Sequence, residues 1–255
     1  MNNLFCKGHF RVMGTYHRRF GNTNLPDQQA AIHFAQNDPI DALRGNEPLV
    51  IAQLGQSLDG RIATINGHSK YINHKEGLTH LHRLRANVDA VVVGVGTVND
   101  DDPRLTVRLC DGDSPKRVII DPHGRVFQNA KMFNDDGPEV IIITRNDMDH
   151  PLRDRVKVFS LEHENGRIAP ESIIKCLADN GMNRLLIEGG ARTVSVFLNH
   201  NALDRLHLIV APLILGSGQP GLSLSSIKTV QEGLQPNVGL YFLGYDILYD
   251  CNFKA

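Results

Sequence analysis

The chain has 255 residues, 41% hydrophobic and 22% charged, the balance of a folded globular protein and not of a disordered one. Its 27 Lys and Arg nearly match its 28 Asp and Glu, so no overall field draws it to nucleic acid or an anionic membrane. No apolar run nears the roughly 18 residues that span a bilayer, and MNNLFCKGHFRVMGTYHRRF lacks the continuous apolar segment of a secretory signal. The four cysteines, Cys6, Cys110, Cys176 and Cys251, form no CxxC pair, which fits reduced thiols and a cytoplasmic protein.

Residues 1–46 read as a polar N-terminal extension in which only QQAAIHFA, residues 28–35, resembles a helix. From residue 47 to residue 255 the texture is that of one domain. LVIAQLG (49–55), DAVVVGV (89–95), RVIID (117–121), EVIIITR (139–145), VKVF (156–159), RLLIEG (184–189) and RLHLIVAP (205–212) are near-continuous apolar runs, as expected of strands covered on both faces. QSLDGRIATINGHSKYIN (56–73) reads as a hairpin, with turns at Ser57–Gly60 and around Gly67. NHKEGLTHLHRLRAN predicts a helix capped by Asn73, with Leu78, Leu81 and Arg85 on adjoining turns. PESIIKCLADNG has Pro170 at its start and Gly181 past its end, and GARTVSVFLNH follows RLLIEG directly. LYFLGYDILYD (240–250) is either a closing strand pair or one strand broken by Gly244. Alternating strands and helices give an α/β fold.

Three strand ends carry residues compatible with phosphate. IEGGARTV places Glu188 before two glycines and a helix N-terminus, where backbone amides and the helix dipole favour an anion. VVVGVGTV puts Thr97 at a helix start, and IIITRN puts Thr144 and Arg145 after four apolar residues, where an arginine suits a ribose 2′-phosphate. Singly each reads as a turn; together they suit a dinucleotide laid across a sheet edge. His74-Lys75-Glu76 spells H-x-E, but the P-C-x-x-C partner of a zinc deaminase is missing, so neither zinc nor deamination is expected.

In order and approximate spacing, QSLDGRIAT, GHSKYIN, HRLRANVDAVVVGVGTVNDDDPRLTVR, RVIID, LLIEGGA and IVAPLILG resemble the pyrimidine reductase of riboflavin biosynthesis, from about residue 48 to the C-terminus. The resemblance implies a dihydrofolate-reductase-like fold, a mostly parallel central sheet flanked by helices with closing antiparallel strands at the C-terminus. It implies a stand-alone reductase that uses NADPH to convert the ribosyl group of 5-amino-6-(5-phosphoribosylamino)uracil to ribityl, and a homodimer. By position it implies substrate contacts at Ser69, Arg85, Leu105, Arg108 and Glu188. It implies cofactor contacts at Gly55, Tyr71, Thr97, Asp101 and the turn Gly189, Gly190, Ala191, Arg192 and Thr193, to which the strand-end reading adds Thr144 and Arg145. Asp59 and Glu188 are the candidate catalytic carboxylates. Asp100, Asp102 and Arg104 are left as capping or solvated residues. Gln53 stands where family members often carry Lys, Tyr71 where they often carry Trp, and Pro122 where a Ser often follows the acid. A related pyrimidine or pterin as substrate, or a catalytically silent NADPH-binding module, are the alternatives.

Overall fold

Apolar residues on both sides of a strand demand cover on both sides, and the computed structural model, which describes residues 32–34, 38–70 and 72–254, supplies it. The strands are β1 (Ile32–Phe34), β2 (Leu49–Ser57), β3 (Arg61–Thr64), β4 (Ala90–Gly94), β5 (Lys116–Ile120), β6 (Val140–Arg145), β7 (Lys157–Leu161), β8 (Arg184–Ile187), β9 (Arg205–Ala211), β10 (Gly218–Pro220), β11 (Asn237–Leu243) and β12 (Asp246–Asn252). The helices are α1 (Lys75–Arg85), α2 (Val95–Asp101), α3 (Pro170–Asp179) and α4 (Ala191–Asn199). Ten strands form one sheet in the order β1-β11-β12-β9-β2-β8-β4-β5-β6-β7. Every pairing is parallel except those of β12 with β9 and β11, so β12 alone runs against the rest.

Side-chain alternation sorts the sheet into two cores. Val50, Ala52, Val92, Leu185 and Ile187 join Ile173 and Leu177 of α3 and Val194 and Phe197 of α4. Ile51, Val91, Val93, Ile119 and Leu186 join Leu84 of α1 and Val95 and Val98 of α2. The second face matters for function, because the rows Ile51–Gln53–Gly55 and Leu186–Glu188 share it.

Several expectations change. Ile32–Phe34, within the stretch resembling a helix, is a strand pairing parallel to β11, where it satisfies backbone groups that an edge strand otherwise leaves open; the neighbouring residues 28–31 and 35 lie outside the described ones. Ile40 and Leu43, on the extension side of residue 46, are buried in the α1–α2 core. The hairpin does not form: β2 is flanked by β8 and β9, so it has no edge to offer, and β3 pairs with β10 instead. Residues 240–250 resolve as a strand pair turning at Gly244.

Helix α1 is capped from outside. Its N-cap is His74, not Asn73, and the buried Asp246 carboxylate accepts the His74 amide at 2.8 Å and pairs with His74 Nδ1 at 2.8 Å. A carboxylate there also suits the helix dipole. Asn73 turns toward β9, donating to the Ile209 carbonyl at 3.4 Å.

Candidate active site

The carboxyl ends of β2, β8 and β4 open into a cleft of about 290 Å³, where ligands of open α/β sheets bind. It brings together Gly55, Ser69, Arg85, Thr97, Asp101, Leu105, Glu188, Gly189 and Gly190 of the residues expected, with Gln53 between the walls. Position follows from period. Gln53 and Glu188 extend the sheet rows that face α1, and Leu81 and Arg85 lie four apart on α1, so both project to the same side.

Arg85 and Glu188 form the floor. Arg85 Nε donates to Glu188 Oε1 at 2.7 Å and Nη2 to Oε2 at 2.6 Å, a bidentate pair, and Nη1 donates to the Thr106 carbonyl at 3.0 Å. Both side chains are 7% exposed, so each charge depends on the other. Burial opposes the Arg85 charge and Glu188 more than offsets it, holding the guanidinium protonated. Arg85 therefore faces a carboxylate, where the sequence alone offered it no partner on its own segment.

Arg108 is exposed and is not among the residues that line the cleft; it is tied to the floor through Thr106, to which Arg85 also donates. Its Nη1 donates to Thr106 Oγ1 at 2.6 Å and to the Thr106 carbonyl at 3.3 Å, and among the described residues no carboxylate pairs with it. Partial burial and then the charges of Arg85 and Arg104 push its pKa down, with Glu188 opposing. Arg104 and Arg108 thus add positive charge beside the Arg85–Glu188 pair. His82, which the sequence reading passed over, accepts the Arg108 amide on Nδ1 at 2.8 Å. Burial, then Arg85 and Arg108, bring its pKa down to about 4 and keep the ring neutral.

The opposite wall is a glycine turn. Gly189 has φ +126°, and a Cβ on it would come within 2.9 Å of Thr97 Oγ1, so only glycine fits. Thr97 Oγ1 accepts the Gly190 amide at 3.0 Å and ties the two turns together. Ala191, Arg192 and Thr193 form the first turn of α4, whose amides face the same edge. At Gly55 a Cβ would lie 1.8 Å from Asn73 Oδ1, so the backbone there is kept bare. The Gly189–Gly190 turn and the first turn of α4 leave backbone amides of the kind that suit an anionic cofactor. Leu105 is buried yet holds φ +56°, a strained conformation of the kind that gathers at ligand sites. Asp101 lines the cleft with much of its surface exposed, and its carboxyl is pushed up by burial and then by Asp100, with Lys70 opposing.

Arg108, Ala191, Arg192 and Thr193 are not among the residues that line the cleft, and Asp59, Thr144 and Arg145 lie away from it. Asp59 is held in its own turn: it accepts the Ser57 hydroxyl at 2.6 Å and the amides of Leu215 at 3.1 Å and Gly216 at 2.7 Å. Those bonds, that of Ser57 foremost, lower its pKa to about 2, which unfits it as a proton donor near neutrality. Thr144 is fully buried, its hydroxyl donating to the Asp121 carbonyl at 3.0 Å. Arg145 lies at the end of β6, two strands past β4 and so roughly 10 Å further along the edge, with Nε 3.1 Å from Asp147. Tyr71 lies outside the described residues. Asp102, left as a capping residue, does cap: it accepts the Lys131 amide at 2.8 Å. Missed from sequence were Leu81, Pro103 and Ile62 of the cleft wall, of which only Leu81 had a signal, its spacing from Arg85.

One reversed strand in an otherwise parallel sheet, with a ligand cleft at the carboxyl edge beside a glycine turn, defines the dihydrofolate-reductase-like class. Two solved structures superpose on it. RibD of Acinetobacter baumannii gives a TM-score of 0.71 at 28% identity, covering 81% of this chain and 58% of that one. A diaminohydroxyphosphoribosylaminopyrimidine deaminase/5-amino-6-(5-phosphoribosylamino)uracil reductase from Thermotoga maritima gives 0.68 at 29%, covering 81% and 56%. The family model described as the RibD C-terminal domain matches residues 48–236, and the chain belongs to that family. RibD of Aquifex aeolicus is 37% identical over 74% of this chain but 52% of its own length. The 2,5-diamino-6-ribosylamino-4(3H)-pyrimidinone 5′-phosphate reductase of Methanothermobacter thermautotrophicus is 35% identical over 82% of this chain and 99% of its own length. The chain thus spans about half of a RibD protein and nearly all of the archaeal reductase.

Proposed function

We propose that this protein is the NADPH-dependent reductase of riboflavin biosynthesis, turning the ribosyl group of 5-amino-6-(5-phosphoribosylamino)uracil into ribityl. The observation that carries this reading is the buried Arg85–Glu188 pair lining the cleft opposite a glycine turn, with Arg108 joined to it through Thr106 and, among the described residues, without an acid partner. Glu188 offers acceptors to sugar hydroxyls, Arg108 offers a guanidinium fork to the 5′-phosphate, and Arg85 holds both through Thr106 and Glu188. When bound, NADPH supplies the hydride, which goes to ribose C1′ once the N-glycoside has opened to an imine; the imine nitrogen takes one proton. Asp101 lines the cleft and is the acid we assign to delivering that proton. Positioning supplies most of the acceleration, because the acceptor carbon has only to be held against the donor. The preference for the 2′-phosphorylated cofactor rests on the resemblance alone, since Arg145 pairs with Asp147 away from the cleft, and the exposed Ile214 and Tyr245 offer apolar surface for a homodimer.

A second reading rests on the near-complete coverage of the archaeal enzyme. Its named substrate carries an amino group where the uracil carries an oxygen. Gln53 is a neutral amide on the cleft wall, able to donate or accept, so it tolerates either group.

The test is turnover followed by loss of the reduced-nicotinamide absorbance, with each pyrimidine in its phosphorylated and dephosphorylated forms. Arg108→Ala is expected to lose about 1.5–3 kcal/mol of binding to the phosphorylated substrate, the range for a hydrogen bond to a charged group. It should leave NADPH affinity and the dephosphorylated substrate nearly untouched. An equal penalty on both substrate forms removes Arg108 from the phosphate.

A further inference from the structure

Residues Thr106 to Arg108 belong to no strand, so their backbone groups are satisfied by side chains. The Thr106 carbonyl accepts from Arg85 at 3.0 Å, the Val107 amide donates to Ser114 Oγ at 2.9 Å, and the Arg108 amide donates to His82 Nδ1 at 2.8 Å. Two of these three holds come from one helix. His82 and Arg85 lie three apart on α1 and so occupy the same face, and both are buried. Just upstream the chain passes Leu105, whose left-handed backbone persists only when its surroundings fix it.

We infer that His82 is the positioning residue of Arg108: its Nδ1 lone pair fixes the Arg108 backbone, and with it the direction in which the Arg108 guanidinium meets the substrate's phosphate. The inference rests on the reading of Arg108 as the phosphate ligand. Accepting an N–H on Nδ1 requires that nitrogen to be bare, which assigns the ring proton to Nε2. A charged imidazolium would lose the bond, and the ring is kept neutral by its burial between Arg85 and Arg108. His82 does not line the cleft; it acts through Arg108 alone.

Asparagine places its side-chain oxygen close to where histidine places Nδ1, whereas leucine and phenylalanine offer no acceptor. His82→Asn, His82→Leu and Arg108→Ala are to be compared by KM and kcat on the phosphorylated and dephosphorylated pyrimidine. The leucine variant is expected to raise KM for the phosphorylated substrate about tenfold, the scale of one unsatisfied buried amide, with a much smaller fall in kcat. Its KM for the dephosphorylated substrate should stay near that of the wild type, and the asparagine variant should recover most of the loss. His82→Phe serves where the leucine variant does not fold, and near-wild-type KM in His82→Asn supports the inference when set beside the loss in either of those two. A rise in KM on both substrates alike, or an asparagine variant as impaired as the leucine one, overturns it. If Arg108→Ala separates the two substrates and His82→Leu does not, the role of His82 falls and that of Arg108 stands. If Arg108→Ala fails to separate them, both fall together.

Discussion

Two clusters of buried ionisable side chains lie beneath the same helix, one at each end of its inward face. Toward its C-terminus, Arg85 pairs with Glu188 and opens onto the cleft. Earlier on α1, His80 Nε2 lies 2.8 Å from His207 Nδ1 with the rings stacked, and His207 Nε2 lies 3.3 Å from Asp250, at contact distance but without hydrogen-bond geometry. Sheet register aligns the second cluster with the first: His207 stands beside Gln53 on one side and Asp250 on the other. Asp250 favours a proton on His207 Nε2, so His207 Nδ1 accepts from His80 Nε2–H and His80 Nδ1 is left buried without a partner. The first cluster is a charged pair with spare donors facing a ligand. In the second, burial holds His80 neutral and Asp250 is paired with Arg205, and none of these residues lines the cleft. Burial of polar groups alone therefore does not mark a site; an opening beside them does.

The largest effect should follow from breaking the charged pair. Glu188→Ala leaves Arg85 buried and uncompensated, a loss of about 3–5 kcal/mol in chemical denaturation. The double variant Glu188→Ala with Arg85→Met should recover part of that stability while remaining inactive. A single variant as stable as wild type would mean that water reaches Arg85 and that the floor is open.

The second cluster should reveal itself through pH. Burial, then His207 and Arg83, bring the His80 pKa down to about 3, with Asp38 and Asp250 opposing. An unfolded histidine titrates near 6.5. Between those values the unfolded chain binds a proton that the folded chain refuses, so stability falls as pH drops from about 6.5 toward 3, by up to about 1.4 kcal/mol per pH unit. Above 6.5 the residue is neutral in both states and contributes no slope. His80→Gln keeps a donor for His207 and should flatten this acid limb. An unchanged slope in denaturation at stepped pH would assign the acid sensitivity elsewhere.

How much of this could be read beforehand depends on the kind of constraint. Strands β4, β5, β6 and β8 were legible because burial on both faces leaves an unbroken aliphatic run. The cleft residues were legible as a group through resemblance, and Leu81 with Arg85 through helical period. The Arg85–Glu188 pair was not, since its partners are 103 positions apart and only the pairing of β8 with β4, the strand that follows α1, brings them together. The failed hairpin has the same cause: local composition called for a turn, which exists, but the sheet had already filled both sides of β2. Asp246 capping α1 from 172 positions away is equally invisible to a local rule, which looked to Asn73.

The smallest expected effect is at Asp59, where sequence proximity to the glycine turns suggested catalysis and geometry assigns a turn. Its carboxylate collects the Ser57 hydroxyl and the amides of Leu215 and Gly216, joining the end of β2 to the loop after β9. Because these bonds lower its pKa to about 2, below an unfolded value near 3.8, its contribution to stability is present above about pH 3.8 and is lost as pH falls through 2. At neutral pH it is an anion, unable to donate a proton and turned toward amides, not toward the substrate cleft. Asp59→Asn keeps the side-chain shape and one acceptor. Its kcat should stay within about twofold of wild type, the spread of substitutions that touch no critical feature. The acid-side stability curve should lose the part that Asp59 supplies. A fall in kcat of about a hundredfold, the scale of a lost general acid or base, in a variant with unchanged thermal midpoint would return Asp59 to the catalytic machinery and show that the turn seen here rearranges when substrate binds.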